Sequence, residues 1–315
     1  MAGGLGGRRD PTVAPASLPW GNPAYGVVPP AGGRRVLHTL PATASLRRAA
    51  SCARLQAVNA DVVFADSTED AVERLAAAGP DAAPLAGGTW IMRAGLRGDA
   101  HPPLYVSLDR IPGLRDVVLD GDTVRIGAGA THAALAAAVA GEPRLRGLHD
   151  AAARSANPAV RAHATVGGAV ATTEFPASDL VPALLALDAT VTVATTAGTE
   201  DVALEDLRAV PGSLVTGVTA AVPRRSAHAR LTLRKAGDYP VAIASVAEGD
   251  DGLRVAIGSV EAAPRRWRTV ETADPVAAAR AHAGELTPRD GVEAPGWYRS
   301  HVLPTLLARA LEAMA

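Results

Sequence analysis

The chain has 315 residues, 48% hydrophobic and 20% charged, with a formal net charge of −1 at pH 7. That hydrophobic share excludes global disorder, the near-neutral balance argues against a dedicated nucleic-acid binder, and no apolar run reaches the ~18 residues of a membrane span. Cys52 is the only cysteine, which excludes a disulfide framework, a cysteine-rich zinc site and an iron–sulfur cluster held by this chain alone.

The N-terminal stretch stands apart. Fifteen of the first 41 residues are Gly or Pro, and residues 1–60 carry seven Arg against the single acid Asp10. A basic Gly/Pro-rich segment without helical or strand period reads as a disordered leader. Arg8-Arg9 and Arg34-Arg35 invite an export reading, but neither pair precedes an apolar stretch of ~7–15 residues, so a cytoplasmic protein is expected. A translation start near Val58 or Val62 fits the same composition.

Order is expected from Asp61. Val62-Val63-Phe64 reads as a strand; Ser67 caps a helix through Ala78, with Glu69 and Asp70 in its first turn and Gly79 as its stop. Pro84-Leu85-Ala86 leads into the turn Gly87-Gly88, and Leu104–Leu108 is a further strand. Two strands, Val117–Leu119 and Val124–Ile126, flank Asp120-Gly121, a favoured hairpin turn. Thr131 caps a helix across Ala133–Ala140; Leu180–Leu187 has helical pattern and Thr190–Thr195 alternates as a strand. From Gly217 the texture changes: strands at Val218–Val222, Leu231–Arg234, Val241–Val246 and Leu253–Ile257 precede helices near Pro275–Ala283 and Trp297–Met314. Strands then helices in blocks predict an α+β chain, with a leader over 1–60 and two ordered parts, 61–222 and 223–315.

Two glycine pairs carry the chemistry. Leu85-Ala86-Gly87-Gly88-Thr89 follows a strand; adjacent glycines permit positive φ and close backbone approach, and exposed successive N–H groups hold a phosphate oxygen. A tight strand-to-loop turn explains the same residues equally simply. Ala164-Thr165-Val166-Gly167-Gly168-Ala169 repeats the pattern, and two such loops can grip one pyrophosphate from opposite sides. Asp179 follows; it is either an acceptor for a ribose hydroxyl or the cap of the Leu180 helix. Gly127-Ala128-Gly129-Ala130-Thr131-His132 imitates a dinucleotide fingerprint, with Asp150 further on, but His132 takes the third glycine position and the preceding strand belongs to a hairpin. The eight histidines show no metal spacing, no Gly-x-Ser-x-Gly exists, and the Tyr and Trp residues read as packing. Of 31 basic residues only Lys235 is a lysine, a hint that a compact ammonium is needed there.

Taken together, Leu85–Thr89, Val160-Arg161 followed by Ala164–Gly168, Pro176-Ala177-Ser178-Asp179 and Pro182–Leu187 resemble the FAD-binding medium subunit of molybdenum hydroxylases, the xanthine and carbon monoxide dehydrogenase group. Lys235-Ala236-Gly237, Ala256-Ile257-Gly258-Ser259-Val260 and Tyr298-Arg299 extend the similarity over residues 61–315. The resemblance implies an α+β, FAD-binding PCMH-type fold of two α/β subdomains followed by a small flavoprotein C-terminal domain. It implies that FAD is held by Leu85, Ala86, Gly87, Gly88, Thr89 and Trp90 on one side and by Ala164, Thr165, Gly167, Gly168 and Ala169 on the other. Asp179 would lie near the adenosine end and Lys235 on the flavin side. Substrate would be oxidised elsewhere: electrons would pass from a molybdenum-cofactor large subunit through a 2Fe–2S small subunit to FAD, in a dimer of heterotrimers, and on to NAD, oxygen or another acceptor. Departures from the family pattern are Ala162 and Ala169 where Asn is common, one extra residue across Ala171–Pro176, and Tyr239 where Arg is common. Each lost side-chain hydrogen bond is worth about 1 kcal/mol. These departures motivate two alternatives: a non-catalytic subunit that kept the fold without tight FAD binding, and a stand-alone flavin oxidoreductase.

Overall fold

The computed structural model describes residues 60–172, 175–234 and 237–315. The predicted leader, but for its last residue, and Lys235 lie outside the described residues, and the described residues cluster as one compact unit. A first layer is a parallel sheet of β1 (Asp61–Phe64), β2 (Ala82–Leu85) and β3 (Leu104–Ser107), ordered β1-β3-β2. Helix α1 (Thr68–Ala78) joins β1 to β2 as expected: Ser67 Oγ accepts from the Asp70 N–H at 3.1 Å, and Gly79 stops the helix at φ 56°. Val72 and Leu75 of α1 pack on Val106 and Ala65. The short α2 (Ala94–Arg97) follows the first glycine pair.

The second layer is an antiparallel sheet ordered β4-β5-β8-β6-β7, built from β4 (Val117–Asp120), β5 (Thr123–Gly127), β6 (Thr190–Thr195), β7 (Gly198–Ala203) and β8 (Leu214–Ala221). In the β4–β5 hairpin Asp120 pairs with Thr123, so the two loop residues are Gly121-Asp122 rather than Asp120-Gly121. Gly121 at φ 60° occupies the first turn position, where glycine meets the positive φ without a Cβ penalty. Helices α3 (His132–Val139), α4 (Arg146–Arg154), α5 (Pro158–Arg161), α6 (Val166–Ala171) and α7 (Leu180–Ala186) accompany this sheet. Their apolar faces bury Leu135, Leu148, Val166, Leu180 and Leu184 against Val124, Ile126, Val191 and Val218.

The chain leaves β8 at Ala221 and enters an antiparallel sheet ordered β12-β11-β10-β9: β9 (Arg225–Leu231), β10 (Ala242–Gly249), β11 (Gly252–Gly258) and β12 (Arg265–Arg266). Helices α8 (Pro275–Ala281) and α9 (Gly296–Met314) cover it, burying Trp267, Leu303 and Leu307. Leu231–Arg234 was expected as a strand; the strand instead precedes it and ends at Leu231. Its Ala227, Ala229 and Leu231 face the core under α9, while Ser226 and His228 on the opposite face are buried too; the apolar face is mostly alanine, so the alternation is weak as a strand signal. Ala247 and Ala256 of this sheet join the helical core beneath the second layer.

Candidate functional site

The first glycine pair leaves the end of β2, where Leu85 O accepts from Leu108 N–H at 3.0 Å. A Cβ at Gly87 would fall 1.7 Å from the carbonyl oxygen of His163. The loop backbone therefore rests on the segment that enters the second glycine pair. Residues distant in sequence meet here because glycine brings two backbones within a distance that no side chain permits. Gly88 sits at φ 69°. The N–H groups of Gly87, Gly88 and Thr89 donate to no acceptor among the described residues, although all three residues are half-buried. Successive main-chain donors without a protein acceptor can take an anion as their partner.

The second pair is built differently. Thr165 is the N-cap of α6, and its Oγ1 accepts from Gly168 N–H at 3.1 Å. Val166 N–H donates to Ala130 O at 2.9 Å, Gly167 N–H to Ala128 O at 2.8 Å and Ala169 N–H to Thr165 O at 2.9 Å. The amides expected to face a pyrophosphate at Val166–Ala169 are thus already spent inside the protein, because a threonine cap and the segment just after β5 satisfy the donors of a helix start. Gly167 serves contact instead: a Cβ there would lie 2.6 Å from that of Ala128. Gly168 is exposed. Ala164 accepts from His132 N–H at 2.8 Å. The fingerprint-like Gly127-Ala128-Gly129 is a packing element: β5 runs antiparallel to both its neighbours, and Cβ atoms at Gly127 and Gly129 would meet Leu114 O at 2.4 and 3.0 Å.

Asp179 precedes α7 but its side chain makes no cap; Ser178 Oγ takes that place, accepting from Val181 N–H at 3.4 Å. The carboxylate is buried, with Oδ1 3.3 Å from His228 Nε2 and 3.2 Å from Arg230 Nε. His228 continues to Ser245 Oγ at 2.8 Å. Arg230 also donates to the carbonyls of Arg154 and of Asp238, the latter at 3.0 Å. His132, on the same buried cluster, bonds Ser155 Oγ through Nδ1 at 2.8 Å, while its Nε2 has no partner among the described residues. Burial pushes the His132 imidazole down to about 4, against a smaller opposing pull from the Asp179 charge. Asp179 therefore ties β9 and the segment carrying Asp238 to the start of α7.

An aromatic group escaped the sequence reading. Trp90 and Phe175 have ring centroids 4.9 Å apart, and Phe175 meets Tyr239 edge-on at 5.5 Å. The Arg97 guanidinium lies over Trp90 at 4.1 Å, and Arg93 Nη1 donates to Tyr239 OH at 3.1 Å. The chain holds only four Trp, four Tyr and two Phe, so three aromatics meeting from three segments beside one loop is a compositional anomaly. Spacing along the chain gives no sign of it. Among the described residues no three His, Cys, Asp or Glu are placed to hold a metal, and no helix is long and apolar enough to cross a membrane.

Residues 56–218 match the family described as the FAD binding domain in molybdopterin dehydrogenase. The chain is 31% identical to the 6-hydroxypseudooxynicotine dehydrogenase complex subunit alpha of Paenarthrobacter nicotinovorans, over 80% of this chain and 93% of that one. A chain of the reconstituted CO dehydrogenase from Oligotropha carboxidovorans superposes with a TM-score of 0.72 at 25% identity, covering 81% of this chain and 97% of its own. A chain of quinoline 2-oxidoreductase from Pseudomonas putida 86 shares the fold, with a TM-score of 0.71 at 21% identity over 81% of this chain and 98% of its own.

Proposed function

Because the chain belongs to the FAD-binding domain family of molybdopterin dehydrogenases, we propose that it is the flavin-carrying electron-transfer subunit of a molybdenum hydroxylase. On this reading electrons arrive from 2Fe–2S clusters on a small partner subunit and originate at a molybdenum-cofactor large subunit, in a dimer of heterotrimers. The observation that carries the reading is that the N–H groups of Gly87, Gly88 and Thr89, three half-buried residues, have no acceptor among the described residues. They fit a diphosphate, because a charged oxygen accepts several main-chain donors at once.

The chain's own residues divide the work. Leu85 and Ala86 deliver the backbone from β2 into the loop, and Gly87 seats it on His163. Thr89 adds a hydroxyl donor beside the amides. Ala164, Thr165, Gly167, Gly168 and Ala169 form the opposite wall, contributing shape and the bare surface of Gly168 rather than free amides. Trp90, with Phe175 and Tyr239 set at steep angles to one another, provides an apolar wall beside the first glycine loop. Asp179 acts from the interior by orienting His228 and Arg230. FAD held there would supply the two-electron to one-electron redox chemistry that amino-acid side chains lack, with NAD, oxygen or another compound as the terminal acceptor. Substrate oxidation belongs to another polypeptide.

The test is the visible absorption spectrum of the purified chain with quantified FAD. About one flavin per chain, released on denaturation, is expected; a folded protein that neither carries nor takes up FAD would end this reading. One set of observations favours a second reading, a subunit that kept the fold without tight FAD binding. The amides of Val166–Ala169 are internally satisfied, and Ala162 and Ala169 bring no polar side chain. It predicts assembly with partner subunits in the absence of flavin.

A further inference from the structure

Ser259 occupies a backbone conformation that serine rarely adopts, φ 64°, and it is fully buried. Positive φ crowds a Cβ against the backbone, so such residues persist only where their surroundings over-determine them. Here the surroundings do. Ser259 N–H donates to Pro176 O at 2.7 Å, and its hydroxyl donates to Pro240 O. Its own carbonyl accepts from Arg289 Nε at 3.0 Å and from Arg299 Nη1 at 3.0 Å. Arg299, itself fully buried, also donates to Val241 O at 2.8 Å and is neutralised by Glu293 at 2.8 Å.

Pro176 and Pro240 are the residues directly after Phe175 and Tyr239. One serine thus anchors both backbones that present the aromatic pair, 5.5 Å apart, to Trp90 beside the first glycine loop. Glycine would adopt this φ without strain and would keep the bond to Pro176. What serine adds is the hydroxyl bond to Pro240 O, which otherwise keeps only the long bond from Arg299 Nη1 at 3.4 Å.

We propose that Ser259 is a positioning residue for the cofactor cleft: its hydroxyl, braced by Arg289 and Arg299, sets where Tyr239 stands against Phe175 and Trp90. This rests on the flavin reading above for its functional consequence, but its structural content is independent of it. The test variant is Ser259→Gly, with Ser259→Ala as a second variant that keeps the strain and loses the hydroxyl. Hydrogen exchange of the cofactor-free chain is followed over residues 237–241, alongside β10 and β11, with thermal melting and the circular dichroism of bound flavin. Ser259→Gly should melt at or above the wild-type temperature, because the strain is gone, yet exchange about tenfold faster at 237–241, the loss of one hydrogen bond holding that segment. Flavin dichroism should change at saturating FAD, and Ser259→Ala should show the same local exchange with a lower melting temperature. Wild-type exchange at 237–241 together with unchanged flavin dichroism would overturn the proposal. So would acceleration spread equally over β10 and β11, which would make Ser259 a general core strut. If the wild-type chain takes up no flavin, the cofactor reading fails while the exchange comparison still decides the role of Ser259.

Discussion

Substituting Gly87 by alanine probes the cleft most directly. The added methyl would lie 1.7 Å from His163 O and 2.6 Å from His163 C, where ordinary contact begins at 3.4 Å. Both obstacles are backbone, so no side-chain rotation relieves them, and the loop and the His163 segment must part by about 1.7 Å. Overpacking of this kind costs about 1–3 kcal/mol of stability, a melting shift of a few degrees for a chain of this size. The larger effect falls on the ligand. Charge-assisted N–H···O bonds are about 2.7–2.9 Å long, and a shift of that size takes the Gly88 and Thr89 donors out of reach of an oxygen positioned by the rest of the cleft. Losing two such bonds at ~1.5–3 kcal/mol each weakens FAD binding by ~10²–10⁴-fold. Fluorescence titration of FAD against refolded apoprotein, well below the melting temperature, measures this. Gly95→Ala, where a Cβ meets nothing within 4 Å, is the control and should bind as wild type. A Gly87→Ala protein that melts early but binds FAD within about threefold of wild type would show that the loop amides do not hold the phosphates, refuting the reasoning.

Gly167→Ala and Gly168→Ala should diverge although the residues are neighbours. The first drives a methyl to 2.6 Å from the Ala128 Cβ and should lower unfolding free energy by ~1–3 kcal/mol. The second meets only the Thr165 hydroxyl, at 3.0 Å on an exposed face, and should be near neutral in urea melts. Asp179→Ala leaves buried His228 and Arg230 facing no carboxylate and should cost ~3–5 kcal/mol in the same assay. If FAD affinity collapses with stability intact, the carboxylate touches the cofactor directly instead of working through Arg230. For His132 the folded pKa, about 4, lies below the ordinary value of 6.5, so the unfolded chain takes up the proton first and stability falls as pH drops through that window. Its contribution is intact near pH 7 and about 2 kcal/mol smaller at pH 5. His132→Gln should flatten the difference between those two pH values by that amount, and an unchanged pH profile would show that the imidazole is not held neutral.

Local chemistry made much of this protein legible from the chain alone. Ser67 and Thr131 as caps, Gly79 as a stop, the β4–β5 hairpin, α7 and the two closing helices were all readable, because caps, turns and apolar periodicity act within a few residues. The first glycine loop was readable for the same reason. Strand β9 was not, since its core-facing side is Ala227, Ala229 and Leu231, a weak apolar signal, and its other face buries Ser226 and His228 against partners in α4, in β10 and at Asp179. The second glycine pair was seen, but not that Thr165 and the Ala128–Ala130 segment consume its amides. Asp179 was placed as a helix cap or a ribose acceptor; only folding brings β9 across it and turns it inward. The meeting of Trp90, Phe175 and Tyr239, and the serine that anchors two of them, depends on contacts between residues up to about 150 positions apart. Which donors remain free once every nearer acceptor has been used is a property of the whole packed chain. Hydrogen-bond satisfaction is settled in three dimensions, whereas conformational preference is written residue by residue.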